Sequence, residues 1–276
     1  MNDLNFSVAI SVYKNDNAEY FDRALSSITE EQTVTPDEIV LVVDGPVGED
    51  IDAVIEKYST KYGIFKVVRL EKNGGLGNAL RIAVENCTYE IVARMDSDDV
   101  AIPTRFEEQL RFMRENDVDI VGGHISEFVE DEKNLVSRRD VPLTDEDIKA
   151  KMKSRCAFNH MTVMFKKSAV LSAGGYLDWH YNEDYYLWLR MLLAGCRFAN
   201  LDRVLVNVRV GEEMYQRRGG MKYFKSEARL QSFMLKNKII TLPRYAINVA
   251  KRLIVQVLLP NKLRGWVFKK FARKTV

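Results

Sequence analysis

Four short apolar runs, parted by stretches of helical periodicity, occupy the first hundred residues and constrain this chain more than any other feature. Phe6–Val12 (FSVAISV), Glu38–Val43 (EIVLVV), Phe65–Leu70 (FKVVRL) and the run opening at Ile91 are short and rich in β-branched residues, so they read as buried strands. Between them, Tyr20–Gln32, Ile51–Tyr62 and Leu76–Asn86 read as helices. Strand and helix alternate, which is the pattern of βαβ units wound around a parallel sheet with right-handed crossovers. Ligands of such sheets bind outside the carboxyl ends of the strands. Tyr13, Asp44, Asn73 and Asp96 all fall at those ends, and their convergence on one edge is a stronger signal than any one of them.

The fourth run ends abruptly. Ile91-Val92-Ala93-Arg94-Met95 is followed at once by Asp96-Ser97-Asp98-Asp99, three carboxylates in four residues. A buried strand cannot hold three unpaired charges, because burying each is costly. The cluster therefore belongs at the strand's end, facing a cavity or a cation. Hard divalent cations such as Mg²⁺ take one or two carboxylates and complete their shell with water and phosphate oxygens. The plainer alternative is a solvated Asp-rich turn leading into the helix after Pro103. Arg94 is placed to pair with one of these acids or to reach a phosphate.

The second half is less regular. Arg105–Asn116 reads as a helix, Asp119–Gly123 as a short strand, and the charged stretch Ile125–Arg139 as an exposed ribbon. Thr144–Lys153 reads as a helix capped by Thr144, with Asp147 at the capping-box position. Met161–Phe165 reads as a strand, and Arg197–Val208 as one or two more. Asn182-Glu183-Asp184 opens a helix over Tyr185–Ala194. There Asp184 either favours the helix dipole, with Asn182 as cap, or serves chemistry. His160 either faces a ligand or is structural, and Trp179 and Trp188 are expected in the core.

Several classes are disfavoured. Three dispersed cysteines, Cys87, Cys156 and Cys196, form no CxxC pair, which argues against a disulfide framework or zinc ribbon and fits a reducing compartment. Met1–Asn5 offers no basic leader, and no run reaches the roughly 18 apolar residues of a spanning helix, so a cytoplasmic location is expected. Gly74-Gly75-Leu76-Gly77 is no dinucleotide fingerprint, since the third glycine counted from Gly75 would be Leu80. No Walker, HExxH or GxSxG motif is present.

From Ala228 onward the chain holds twelve Lys/Arg and no Asp/Glu. Ala246, Val249, Ala250, Leu253 and Val257 share one helical face, and Arg244, Asn248, Lys251 and Arg252 another, with basic residues and aromatics following Pro260. Such a tail suits an anionic membrane surface, or else packs on the body. Nucleic acid is not the expected partner, since no recognition module is visible.

In order along the chain, SVYKND, VVDG, KNGGLGNAL, MDSDD and NEDYYLWLR resemble the family 2 glycosyltransferases of the GT-A fold, and most of all bacterial enzymes that build capsule, exopolysaccharide or O-antigen. The resemblance covers roughly residues 5–215. MDSDD matches the family's DxD motif, and the NED segment its catalytic ED motif. The resemblance implies an α/β Rossmann-like, mostly parallel sheet flanked by helices; the chain is read as one such domain over 1–240, followed by the basic amphipathic tail over 241–276 that its own residues indicate. It implies inverting transfer of a sugar from a nucleotide diphosphate, taken as UDP, to a saccharide acceptor, taken as lipid-linked, at the inner face of the plasma membrane. It assigns Tyr13, Asp44 and Asn73 to the nucleoside, Asp96 to ribose or sugar hydroxyls, and Asp98 or Asp99 to Mg²⁺ or Mn²⁺. Asp184 becomes the general base, with Glu183 beside it, and Arg217 the loosely matched cation over the diphosphate. The pattern departs from the family at Val43-Asp44, where two adjacent acids are commoner. A sugar nucleotidyltransferase shares the alternation but opens with a Gly-rich loop, where this chain has Tyr13-Lys14-Asn15-Asp16. A nucleotide-binding scaffold without activity is the non-enzymatic rival.

Overall fold

The computed structural model of the protein describes residues 5–211 and 219–259 and centres on one nine-stranded sheet. β1 (Phe6–Val12), β2 (Glu38–Val43), β3 (Phe65–Arg69) and β4 (Ile91–Met95) alternate with α1 (Ala18–Thr29), α2 (Glu49–Lys61) and α3 (Leu76–Asn86), as the apolar runs predict. α1 begins earlier than its apolar periodicity, because the Asn17 side chain accepts the Glu19 and Tyr20 N–H groups. These strands pair in parallel in the order β3-β2-β1-β4. The order reverses direction between β1 and β4, so the crevice outside their carboxyl ends is a topological switch point.

Past β4 the sheet becomes mixed. β5 (Val100–Ala101) is a two-residue strand that sequence reading does not find, and α4 (Arg105–Glu115) follows it. β6 (Ile120–Phe128) is buried along its whole length, which corrects the short strand and exposed ribbon expected there. Its charges mislead because long-range partners satisfy them: the Glu127 carboxylate accepts from the Ser137 hydroxyl, and His124 Nε2 bonds Asp202 at 3.0 Å. The exposed part of the ribbon is the turn that opens at Val129 and the start of β7 (Leu135–Arg139). Thr144 caps α5 (Asp145–Met152), accepting the Asp147 N–H and donating to the Asp147 carboxylate at 2.8 Å. The strand expected over Met161–Phe165 is a 3₁₀ turn (His160–Thr162) followed by β8 (Met164–Lys166), because Thr162 Oγ1 turns back to the Asn159 carbonyl at 2.8 Å. After α6 (Lys167–Ser172) and α7 (Glu183–Leu193), β9 (Phe198–Arg209) runs parallel to β6 and antiparallel to β5.

Alternate residues of each strand feed two cores. Val8, Ile10, Leu41 and Val43 join Phe21, Ile55 and Phe106 of α1, α2 and α4 on one face. Ala9, Val40 and Val42 join Leu80 and Trp188 of α3 and α7 on the other, where α8 (Met221–Lys236) adds Leu230 and Met234.

The last described elements are α9 (Leu242–Leu253) and a π-helical turn (Ile254–Leu258). α9 lies against the body through its polar side. Asn248 Nδ2 donates to the Lys153 carbonyl at 2.9 Å and to Gln231 at 2.8 Å, and Arg252 pairs with Glu227 and donates to the Ser154 carbonyl at 2.8 Å. Ile247, Ile254 and Leu258 face outward, each half or more exposed. Among the described residues no helix is long and apolar enough to cross a membrane.

Candidate active site

The MDSDD turn is held from three sides. β4 delivers it to the sheet edge, β5 pairs with β9 just beyond it, and Ser97 Oγ donates to Asp16 Oδ2 at 2.9 Å in the loop after β1. Asp16 also accepts the Tyr13 N–H at 3.0 Å, so the ends of β1 and β4 are tied together at the switch point. Sequence reading passes over Asp16, although its signal was present: a carboxylate four residues past a buried strand.

The three acids of the turn have different fates. Asp96 is half-buried and ion-paired with Arg94, whose guanidinium is fully buried beneath it. Asp99 is buried and accepts the Arg209 N–H at 3.0 Å; burial first, then the charges of Asp98 and Asp96, holds its carboxyl well above the usual range. Asp98 alone is exposed. Crowding by protein atoms, then Asp96 and Asp16, pushes it up to about 6, a shift that its contact with solvent tempers. Burial likewise lifts Asp16 to about 6. Beneath the acids a second guanidinium, that of Arg105, is fully buried and donates to the Arg94 carbonyl at 2.6 Å.

The head of α7 meets this turn across a cavity of about 600 Å³, lined by Asp96, Asp98, Asp99, Glu183, Asp184 and Arg209 among others. Burial first, then the neighbouring Asp184 charge, raises Glu183 to about 7. Asp184 Oδ1 accepts the Tyr185 N–H at 2.6 Å. The Asn182 side chain makes no cap bond and faces Ser226 instead, which removes the reading of Asn182 as a side-chain cap. Asp184 also lines a second cavity of about 420 Å³, between α7 and α9. His160 lines both cavities and bonds the Tyr176 hydroxyl at 2.8 Å. Trp179 and Trp188 are core residues.

Tyr13, Asp44 and Asn73 stand at the ends of β1, β2 and β3, outside the lining of the larger cavity. Asp44 is buried and holds the loop after β3: its carboxylate accepts from Asn73 Nδ2 at 2.9 Å, Gly74 N at 2.7 Å and Gly75 N at 3.0 Å. Gly45 permits this contact, since a Cβ there would lie 2.6 Å from the Asn73 nitrogen, and its φ of +87° suits glycine. Arg217 lies outside the described residues. The cation that the structure does bring to the cavity is Arg209, stacked on Tyr20 at 3.7 Å and Phe128 at 4.6 Å. Its only sequence signal is a position at the end of the last strand.

Among the described residues no three His, Cys, Asp or Glu side chains form a ready metal cage. One exposed aspartate above two engaged ones fits a hard cation that draws its other ligands from water and phosphate oxygens.

Comparison with known proteins finds relatives in sequence and in fold. The sequence model of glycosyl transferase family 2 matches residues 7–173. The chain is 40% identical over 266 residues to the amylovoran biosynthesis glycosyltransferase AmsE of Erwinia amylovora, covering 96% of this chain and 98% of that one. It is 37% identical over 270 residues to the UDP-Gal:alpha-D-GlcNAc-diphosphoundecaprenol beta-1,3-galactosyltransferase of Escherichia coli, covering 98% and 97%. Its fold matches that of S. aureus TarS 1–349 in complex with UDP-GlcNAc, with a TM-score of 0.68 at 18% identity over 96% of this chain and 79% of that one.

Proposed function

The chain belongs to glycosyl transferase family 2 and is a glycosyltransferase of the GT-A fold, and on that premise we propose that it transfers a sugar, with inversion, from a UDP-sugar to a lipid-linked saccharide during surface polysaccharide synthesis. The observation that carries this reading is the meeting of two motifs distant in sequence, Asp96–Asp99 and Glu183–Asp184, on one cavity. The names of the two relatives support the acceptor class and the pathway class.

The roles follow from the site's chemistry. The sugar diphosphate lies between the MDSDD turn and Arg209. A divalent cation, Mg²⁺ or Mn²⁺, supplies Lewis-acid neutralisation of the leaving diphosphate, and Asp98 is the carboxylate free to hold it. Asp99, engaged by the Arg209 N–H, holds the turn's shape instead. Asp96, oriented by Arg94, faces ribose or sugar hydroxyls. Tyr13, Asp44 and Asn73 form the nucleoside end, where Asp44 acts by holding the loop after β3. Two adjacent carboxyls at the head of α7 divide the proton work. Burial first, then its acidic neighbour, raises the Glu183 carboxyl to about 7, and Asp184 is the member of the pair that lines both cavities. Asp184 therefore takes the acceptor's hydroxyl proton as that oxygen attacks the anomeric carbon. The basic tail sits at the inner face of the membrane, where lipid-linked acceptors are presented.

Incubation with UDP-sugars, Mn²⁺ and a lipid-linked saccharide tests the reading. It expects UDP release coupled to an extended saccharide whose new linkage has the anomeric configuration opposite to the donor's by NMR. Retention of configuration contradicts single displacement. Pyrophosphate release from UTP and a sugar 1-phosphate marks a nucleotidyltransferase, and binding without turnover leaves the scaffold.

A further inference from the structure

Five residues line both cavities at once: His160, Met161, Tyr181, Asp184 and Tyr223. They mark the passage between the larger cavity, which holds the donor in the transferase reading, and the smaller one between α7 and α9. Asp184 is the base of that reading, so the sugar whose hydroxyl reaches it lies against the other four. Two of these carry features that packing alone does not explain.

Tyr181 is the first. Three residues other than glycine have positive φ. Lys238 follows the C-cap of α8, a common place for it, and Glu130 turns the chain between β6 and β7. Tyr181 stands at φ +57°, one residue before Asn182, where α7 begins. For a bulky side chain that conformation is an outlier, and it persists only where the surroundings impose it. Here they do: Trp179 and Asn182 are buried on either side, and the Asn182 N–H donates to the Trp179 carbonyl at 2.9 Å. The outcome is an aromatic residue that is 52% exposed on the wall of both cavities, with its ring centroid 6.3 Å from that of Tyr223.

His160 is the second. Its Nε2 bonds the Tyr176 hydroxyl and its ring lies edge-on to Trp188 at 6.0 Å, so the imidazole is fixed. Nδ1 has no hydrogen-bond partner among the described residues. Burial first, then the Arg94 charge, holds the group well below its usual range, so the ring is neutral. A neutral Nδ1 donates or accepts according to tautomer, and a hydroxyl answers either.

A pyranose asks for this pair of contacts. One face of the sugar ring is a patch of C–H groups, which suits the negative face of an aromatic ring, and its rim is hydroxyl. We propose that the passage is a pyranose subsite in which Tyr181 stacks on the acceptor sugar and His160 Nδ1 bonds one of its hydroxyls, beside the hydroxyl that meets Asp184. This rests on the transferase reading and deepens it by naming the side chains that orient the sugar.

The test is binding of the methyl β-pyranosides of glucose, galactose, mannose and N-acetylglucosamine to the full chain, by saturation-transfer NMR, with UDP and Mn²⁺ saturating. At least one should bind, with saturation strongest on the C–H protons of one ring face. Tyr181→Phe should keep that binding, and Tyr181→Gly should weaken it by about tenfold, the worth of a stacked aromatic. The Tm of Tyr181→Gly should hold or rise, because glycine takes positive φ without penalty. His160→Gln keeps a group for Tyr176 and withdraws the one at Nδ1, so it should weaken binding by about fivefold, one net hydrogen bond. Four results overturn the proposal: no pyranoside bound by a UDP-bound parent, parental binding in Tyr181→Gly, a lowered Tm in that variant, or a loss of UDP-glucose, UDP-galactose or UDP-N-acetylglucosamine affinity relative to UDP, which would put the ring on the donor sugar. UDP affinity on the same samples stands apart: a parent that fails to bind UDP sinks the donor reading, whereas a UDP-binding parent whose pyranoside binding ignores Tyr181 sinks only this one.

Discussion

Replacing Asp96 and Asp98 one at a time by Asn separates a site residue that holds the fold from one that does not. The Asp96 carboxylate is the anion paired to Arg94, whose guanidinium is fully buried and already leaves its Nε and Nη1 without a hydrogen-bond partner. A second fully buried guanidinium, Arg105, bonds the Arg94 carbonyl. Asp96→Asn therefore strands a buried cation beside another. Removing one member of a buried ion pair costs about 3–5 kcal/mol. At an unfolding entropy of about 2.1 cal/mol/K per residue, a chain of this length loses roughly 5–9 °C of Tm. Asp98 is exposed and its charge is disfavoured by its acidic neighbours, so Asp98→Asn should leave Tm unchanged or slightly raised. Scanning calorimetry without metal reads the fold. The gain in Tm from UDP with Mn²⁺ reads the site, because a ligand of the native state stabilises by mass action. Asp98→Asn should lose that gain at parental starting stability. If the two variants melt within about 2 °C of each other, the reasoning from the buried pair is refuted.

Three further outcomes are expected. Asp184→Asn keeps the shape of the head of α7 and removes the proton acceptor, so turnover should fall by roughly 10²–10⁴-fold with UDP-sugar affinity nearly unchanged, and Glu183→Gln should cost less; full turnover in Asp184→Asn would remove it as the base. Asp16, Asp98 and Glu183 have folded pKa values of about 6, 6 and 7, above their unfolded values, so each binds its proton more tightly when folded. Their stabilisation is present at low pH and fades as pH rises from about 4 to 7; Tm without metal should fall over that window, Mn²⁺ should restore more at pH 7.5 than at pH 5, and a metal-induced gain equal at both would contradict the clustering of acids. Ile254→Asp combined with Leu258→Asp should abolish binding to phosphatidylglycerol vesicles without moving Tm, since both side chains face outward, whereas deletion from Pro243 should also lower Tm by stripping the polar contacts of Asn248 and Arg252.

Sequence reading was strongest where structure is local. β1, β2, α3 and the carboxylates after β4 were legible because short apolar runs and their polar ends are written in consecutive residues. Reading failed where a distant segment decides burial. Ile125–Phe128 looked solvated through its charges, yet β9 covers one edge of that strand and Ser137 satisfies Glu127. The two faces of α9 were legible, but not that the polar one meets the body, where Gln231, Lys153 and Ser154 supply its partners.

The chain's own order of residues thus determined the alternating frame, the strand ends on which ligands converge, and the two acidic motifs. Tertiary structure alone decided that those motifs share a cavity and that Asp98 is exposed while Asp99 is spent on the Arg209 N–H. It also decided that Arg209 is the described cation at the donor cavity, and that α9 presents hydrocarbon outward. The physical reason is common to all four. Periodicity reports what a residue needs, apolar cover or a polar partner, but the element that meets the need comes from elsewhere in the chain, and only the packed fold says which one arrives.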